Sequence, residues 1–394
     1  MKRFLLRAAA LAVTASPAAA VNVVIDYTYD TGGFFSPQSA DGAAARSTVE
    51  AAASFFSEVL EDSLSPIETP PPFQSAIFDG QAEWRWSASV NHPSTGALLE
   101  LPDLTIAADE FRIFVGARGI SGSTIGLGGP GGFGWSFTPS GGFTSDEIAL
   151  LNATNDAFGA AVELRGQPVG EFAAWGGALT FDNNPGTPWH FDHTTDPGPG
   201  KNDLFSVALH ELAHALGIGL TTPAALVGTE PPTVWETLTS GSAFIGASAI
   251  AANGGTPPML NADRDHWAAG TVSTVYGGFA SQEAALDPDL LEGGRKFFTT
   301  LDAAALADLG WEVADGSPLP GDYNLDQVVD AADYTVWRDA LGTPAPIGSY
   351  SGWAANYGAS RSPAATTPEP GSIVFGLLAA VLLGVFRGRP GVFC

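Results

Sequence analysis

The sequence predicts an α/β (α+β) fold: a twisted mixed sheet with helices packed on it, one carrying a His-Glu-x-x-His motif, and a small helical acidic module beyond. Three observations predict it. Runs that alternate apolar and polar side chains, such as VNVVIDYTY at 21–29, are interleaved with segments of helical spacing, such as TVEAAASFFSEVLEDSL at 48–64. One apolar helix near 204–216 bears the motif. A Pro/Gly linker at 316–320 separates this part from a stretch of different, acidic and aromatic composition.

Taken in order, the chain begins with Lys2, Arg3 and Arg7, a short apolar run and Ala18-x-Ala20, the pattern of a secretory signal peptide over 1–20. A domain is expected over 21–315. Strands are predicted at 21–29, 81–90, 104–117 and 176–183, and helices at 48–64 and 146–162. The glycine-rich segment 116–142 reads as a long surface loop. Sixteen basic against forty-two acidic residues give a net charge of −26, which repels a polyanion and excludes nucleic acid as a partner. The same excess attracts cations, calcium included. Cys394 is the single cysteine and the last residue, so no internal disulfide is expected.

Asp203 can cap a helix from Leu204 to Leu216 that Gly217 stops. His210 and His214 lie one turn apart on one face and can reach one ion. Glu211 stands beside them, placed to act as general base on a metal-bound water.

His210-Glu211-x-x-His214-x-x-Gly217 resembles the opening of the metzincin zinc-protease signature, except that Leu220 stands where the third ligand is usual. A catalytic zinc needs three protein ligands and a water. In that family the third comes from downstream, and of the six histidines only His266 lies there, in NADRDHWAAG. The His266-Trp267 pair after a long insertion resembles leishmanolysin. Glu236 in VWETL is the rival third ligand, of the gluzincin kind.

The stretch 179–217 resembles the matrixin arrangement, which implies that 176–181 is the edge strand receiving substrate. The resemblance also makes Leu286 in QEAALDPDL the Met-turn equivalent, a near volume-conserving replacement. It makes TTLDAAALADLGW at 299–311 the C-terminal helix, ended by Gly310. Tyr276 is a candidate oxyanion donor, whereas His190 and His193 read as solvent-facing loop residues.

Within 321–358, Asp322, Asn324, Asp326, the Val328 carbonyl, Asp330 and Asp333 have the spacing of an EF-hand calcium loop, with Gln327 in place of the usual glycine. The pattern resembles one dockerin repeat. The partner stretch 349–360 keeps the aromatics without the acids, which argues against a cohesin-like partner. After a linker at 359–367, Pro368-Glu369-Pro370, an apolar run at 371–386 and Arg387 and Arg389 resemble a PEP-CTERM sorting tail over 368–394. That resemblance implies a transient membrane span and an exosortase-type processing enzyme.

Together these readings imply an exported zinc endopeptidase, with structural calcium, acting on proteins or peptides in the cell envelope or outside the cell. The other reading is a surface structural or binding protein that keeps the fold without competent catalysis and docks through its acidic module.

Overall fold

The computed structural model describes residues 21–75, 82–139, 142–221, 232–324, 328–342 and 348–360. The signal peptide, Asp326, Gln327 and the sorting tail lie outside the described residues.

The first strand is β1 (Asn22–Asp26). Helix α1 (Ala40–Val59) starts at Ser39, whose side chain accepts the Gly42 N–H. It begins ahead of the predicted residue 48 because Ala43 to Ala45 favour helix by propensity, without the apolar spacing that marks the rest. Then come β2 (Ala82–Asn91), β3 (Leu98–Leu101), β4 (Glu110–Arg118), β5 (Gly126–Pro130) and β6 (Gly132–Pro139). Helix α2 (Ser145–Leu164) opens on a capping box between Thr144 and Glu147, and β7 (Gly176–Asp182) follows.

The central sheet has the order β1-β4-β7-β5. The first three strands are parallel, and β5 runs antiparallel to β7. Both faces are covered. Ile113, Val115, Leu179 and Phe181 join the core that α1 supplies with Val49 and Phe56, while Phe114 and Ala178 point into a second core. That alternation is the period of two expected of a doubly buried strand. The second core lies under an antiparallel sheet in which β2 pairs with β3 and β6, closed by Leu151, Phe158 and Val162 of α2.

Two expectations are corrected here. The glycine-rich segment 116–142 is not simply a surface loop, since β5 and β6 lie within it. Several of its glycines answer to close approach: a Cβ on Gly131 would sit 2.2 Å from the Trp175 ring, and one on Gly116 2.7 Å from the Ser94 hydroxyl oxygen. Nor is 176–181 an edge strand. β7 is interior and buried along its whole length, and β5 forms the edge.

Further along are α3 (Leu204–Ala215), the short α4 (Ala247–Ala252) and α5 (Thr300–Leu309), the last capped by Thr299 and ended by Gly310 at φ +110° as the sequence predicts. Beyond the linker, α6 (Ala331–Ala340) and α7 (Tyr350–Asn356) pack through the rings of Tyr334, Trp337, Tyr350 and Trp353. This module contacts the preceding part where Tyr323 meets Phe279.

Candidate metal centre

Helix α3 is fixed at both ends. At its start the Asp203 carboxylate accepts the Ser206 N–H at 3.1 Å and binds the Arg295 guanidinium at 2.7 and 2.9 Å, with the aspartate fully buried. At its end Gly217 turns the chain with φ +100° and packs on the Phe172 ring. Leu204, Val207, Ala208 and Leu212 are buried in the main core, which leaves His210, Glu211 and His214 on the face toward β5 and the downstream loops.

β5 passes over this helix with no space between. A Cβ on Gly126 would lie 2.4 Å from Glu211 Oε1, and one on Gly128 would lie 2.2 Å from the Glu211 carbonyl oxygen. The Gly128 N–H also hydrogen-bonds the Glu211 carboxylate. Burial pushes the Glu211 carboxyl up to about 8, against that single donor.

His266 returns to the helix after 52 residues. Three packing features bring it back. Trp235 stacks on Phe244 with centroids 4.4 Å apart, Trp267 closes on both rings, and Trp235 Nε1 donates to the Arg264 carbonyl at 2.7 Å. The Asp308 carboxylate accepts the N–H groups of Ser248 and Ala249, each at 2.8 Å, and so caps α4 from α5. Gly219, at φ +72°, sits so close to the returning loop that a Cβ there would be 2.0 Å from the Asp265 carbonyl oxygen. The sequence reading missed Gly219; the repeated glycine in Gly217-Ile218-Gly219 was its only signal.

The three imidazoles meet at their Nε2 atoms, 3.0 Å between His210 and His266, 3.1 Å between His210 and His214, and 3.2 Å between His214 and His266. Each Nδ1 faces an acceptor: the Ala285 carbonyl for His210 at 2.7 Å, the Ile218 carbonyl for His214 at 2.8 Å, and the Asp265 carboxylate for His266 at 2.7 Å. Those acceptors place the proton on Nδ1, so three Nε2 lone pairs point at one another. Lone pairs that meet in that arrangement repel, and a cation among them removes the conflict. Burial, and then the neighbouring histidines, hold His210 well below its ordinary value and bring His214 down to about 4, so both are neutral at pH 7. Among the described residues, these histidines are the one cluster of His, Cys, Asp or Glu side chains placed to hold a metal ion.

The turn beneath them is held by Asp302. Its buried carboxylate accepts from Ala285 N–H at 2.9 Å, Leu286 N–H at 3.3 Å, Trp267 Nε1–H at 2.8 Å and the Thr299 backbone and hydroxyl. Leu286 is fully buried, and its carbonyl accepts the Trp267 N–H at 3.0 Å.

The remaining candidates fall elsewhere. Glu236 completes a capping box with Thr233, accepting its N–H at 2.9 Å, and does not join the histidines. Tyr276 donates its hydroxyl to the Ala314 carbonyl and packs on Phe55, so no oxyanion role follows from its position. His190 and His193 are half-buried rather than solvent-facing: His190 Nε2 bonds the Thr195 carbonyl at 2.9 Å, and His193 stacks on Phe205. In the acidic module Asp330 caps α6, and buried Asp333 accepts the N–H groups of Tyr323, Asn324 and Asp330 at 2.7, 3.0 and 2.7 Å. Asp322 is buried nearby, and Val328 bridges to Ser360. The sequence matches no family model, and neither the curated proteins nor the solved structures contain a match.

Proposed function

We propose that the chain is an exported zinc-dependent endopeptidase of metzincin type, with His210, His214 and His266 as ligands and Glu211 as general base. The observation that carries this reading is the convergence of three imidazole Nε2 atoms beside a buried glutamate side chain. Zinc held by imidazoles at about 2.0–2.1 Å in tetrahedral geometry sets ligand nitrogens about 3.3 Å apart, close to the 3.0–3.2 Å found. Three protein ligands leave a fourth position for water.

When bound, zinc supplies a Lewis acid that polarises the scissile carbonyl and acidifies its water. Burial raises the Glu211 carboxyl in the metal-free chain; beside a cation it would return to its ionised form, and its Oε would then take a proton from water at the fourth position and deliver it to the leaving amine. The Gly128 N–H restrains that carboxylate, and the Nδ1 acceptors hold the three rings in their tautomers.

Substrate would add as a strand on β5, which takes the role first assigned to 176–181. Asp182 N–H donates to the Ile125 carbonyl and Gly131 N–H to the Gly176 carbonyl. By the two-residue alternation, odd positions of β5 pair with β7 and Gly126, Gly128 and Pro130 face outward. The Gly128 N–H is given to Glu211 and Pro130 has none, so this edge would meet a substrate through its carbonyls and the Gly126 N–H. That edge runs beside Glu211, as an antiparallel rim does in metzincins. The turn at Leu286 serves as the Met-turn platform. The calcium loop at 322–333 and the sorting tail at 368–394 complete the proposal on their sequence patterns alone; the Asp330 and Asp333 carboxylates of that loop accept backbone N–H groups.

Cleavage of casein or gelatin by purified protein tests the reading. Glu211→Gln should retain zinc and lose about 10²–10⁴ in rate, the usual contribution of a general base. Zinc binding without cleavage of any broad peptide library would favour a surface binding protein on the same fold.

A further inference from the structure

We infer that Asp265 is a positioning residue for the metal centre, fixing the His266 ring and strengthening its Nε2 as a donor. The inference rests on the zinc reading above. Its starting point is that the three rings are not held alike. His210 and His214 project from consecutive turns of one helix and give their Nδ1–H groups to neutral carbonyls. His266 stands on a loop and gives its Nδ1–H to a carboxylate.

That carboxylate is itself oriented. Asp265 Oδ1 also accepts from Asn261 Nδ2 at 2.7 Å, while Asn261 Oδ1 accepts the Asp265 N–H at 3.1 Å. The Asn261 N–H donates to the His266 carbonyl at 3.0 Å, which closes the loop on itself. The bare Cα of Gly219 lets the Asp265 carbonyl press against the turn that follows α3. A ligand arriving from far along the chain thus receives from this loop the orientation that α3 gives the other two. An anion hydrogen-bonded to Nδ1–H also draws that proton toward itself and raises electron density at Nε2.

Two carboxylates flank the His266-Trp267 pair, and their surroundings assign them different work. The Asp265 side chain is 35% exposed. Asp302 is fully buried, takes the Trp267 Nε1–H and satisfies the backbone of the turn below. Loss of the first should act on metal binding, and loss of the second on the fold.

The test uses the full-length chain, with Zn²⁺ titrated against a chromophoric chelator and the melting temperature of metal-free protein measured alongside. Asp265→Ala should weaken zinc binding by about 10–100-fold, the usual cost of losing such a partner. Asp265→Asn keeps an acceptor without its charge and should fall between. Metal-free, both should melt only slightly below the unaltered protein, through the lost or weakened Asn261 and His266 contacts, whereas Asp302→Asn should melt well below it. The Co²⁺-substituted spectrum of Asp265→Ala should also shift, because the third ring is no longer held. Unchanged zinc affinity in Asp265→Ala overturns the inference, as does a metal-free melting point lowered as far as that of Asp302→Asn. An unaltered chain that binds no zinc overturns the function proposed above, before any variant is compared.

Discussion

At the scale of residues, the candidate site combines side chains that the sequence announces with glycines that it does not. His210, Glu211 and His214 are legible because a helix fixes what lies one turn apart, and any chain with that spacing presents them together. Gly219 is legible only in three dimensions, since its role depends on a carbonyl 46 residues further on (265 − 219). Gly219→Ala should therefore strain a left-handed position by about 1–3 kcal/mol and drive a methyl group into the Asp265 carbonyl. The expected outcome is a lower melting temperature together with weaker zinc binding. A variant with unchanged melting and metal affinity would show that the loop does not depend on this contact.

At the scale of elements, α3 and α5 were read nearly to the residue because their ends are chemically marked, whereas α1 spans 40–59 against the expected 48–64. Thr299 and Gly310 bound α5, and Asp203 and Gly217 bound the segment that holds α3. The edge strand was missed for the opposite reason. Gly126-Leu127-Gly128-Gly129-Pro130 has the composition of a loop, and only the nearness of α3 explains why Gly126 and Gly128 carry no side chain.

The end of α1 carries a pH effect of its own. Asp62 is buried beside the carboxylates of Glu312 and Glu171, and burial, more than that repulsion, raises it to about 6 despite the Glu312 N–H it accepts at 3.0 Å. A carboxyl raised on folding contributes stability below its ordinary value near 3.8 and loses it as pH climbs through about 6. Asp62→Asn keeps an acceptor for Glu312 and removes the charge. It should raise the melting temperature at pH 7–8, by an amount that vanishes at pH 4. Equal melting of the two proteins at both pH values would contradict this assignment.

At the scale of the whole molecule, the described residues form one compact unit that runs to Ser360. Its mixed α/β character could be read from alternating and helical periods, because burial on one face leaves a trace in neighbouring residues. The return of His266 left no such trace. It depends on Trp235, Phe244 and Trp267 stacking across the insertion and on Asp308 capping a helix from another element. Only the shortage of histidines in this chain, together with the family resemblance, pointed to that residue.

Zinc content measured on the unaltered chain and on His266→Ala tests the central claim most directly. One zinc per chain is predicted for the unaltered protein, and its loss on substitution, because His210 and His214 alone cannot hold the ion tightly. Unchanged zinc content and affinity in His266→Ala would contradict the claim that these three imidazoles form one site.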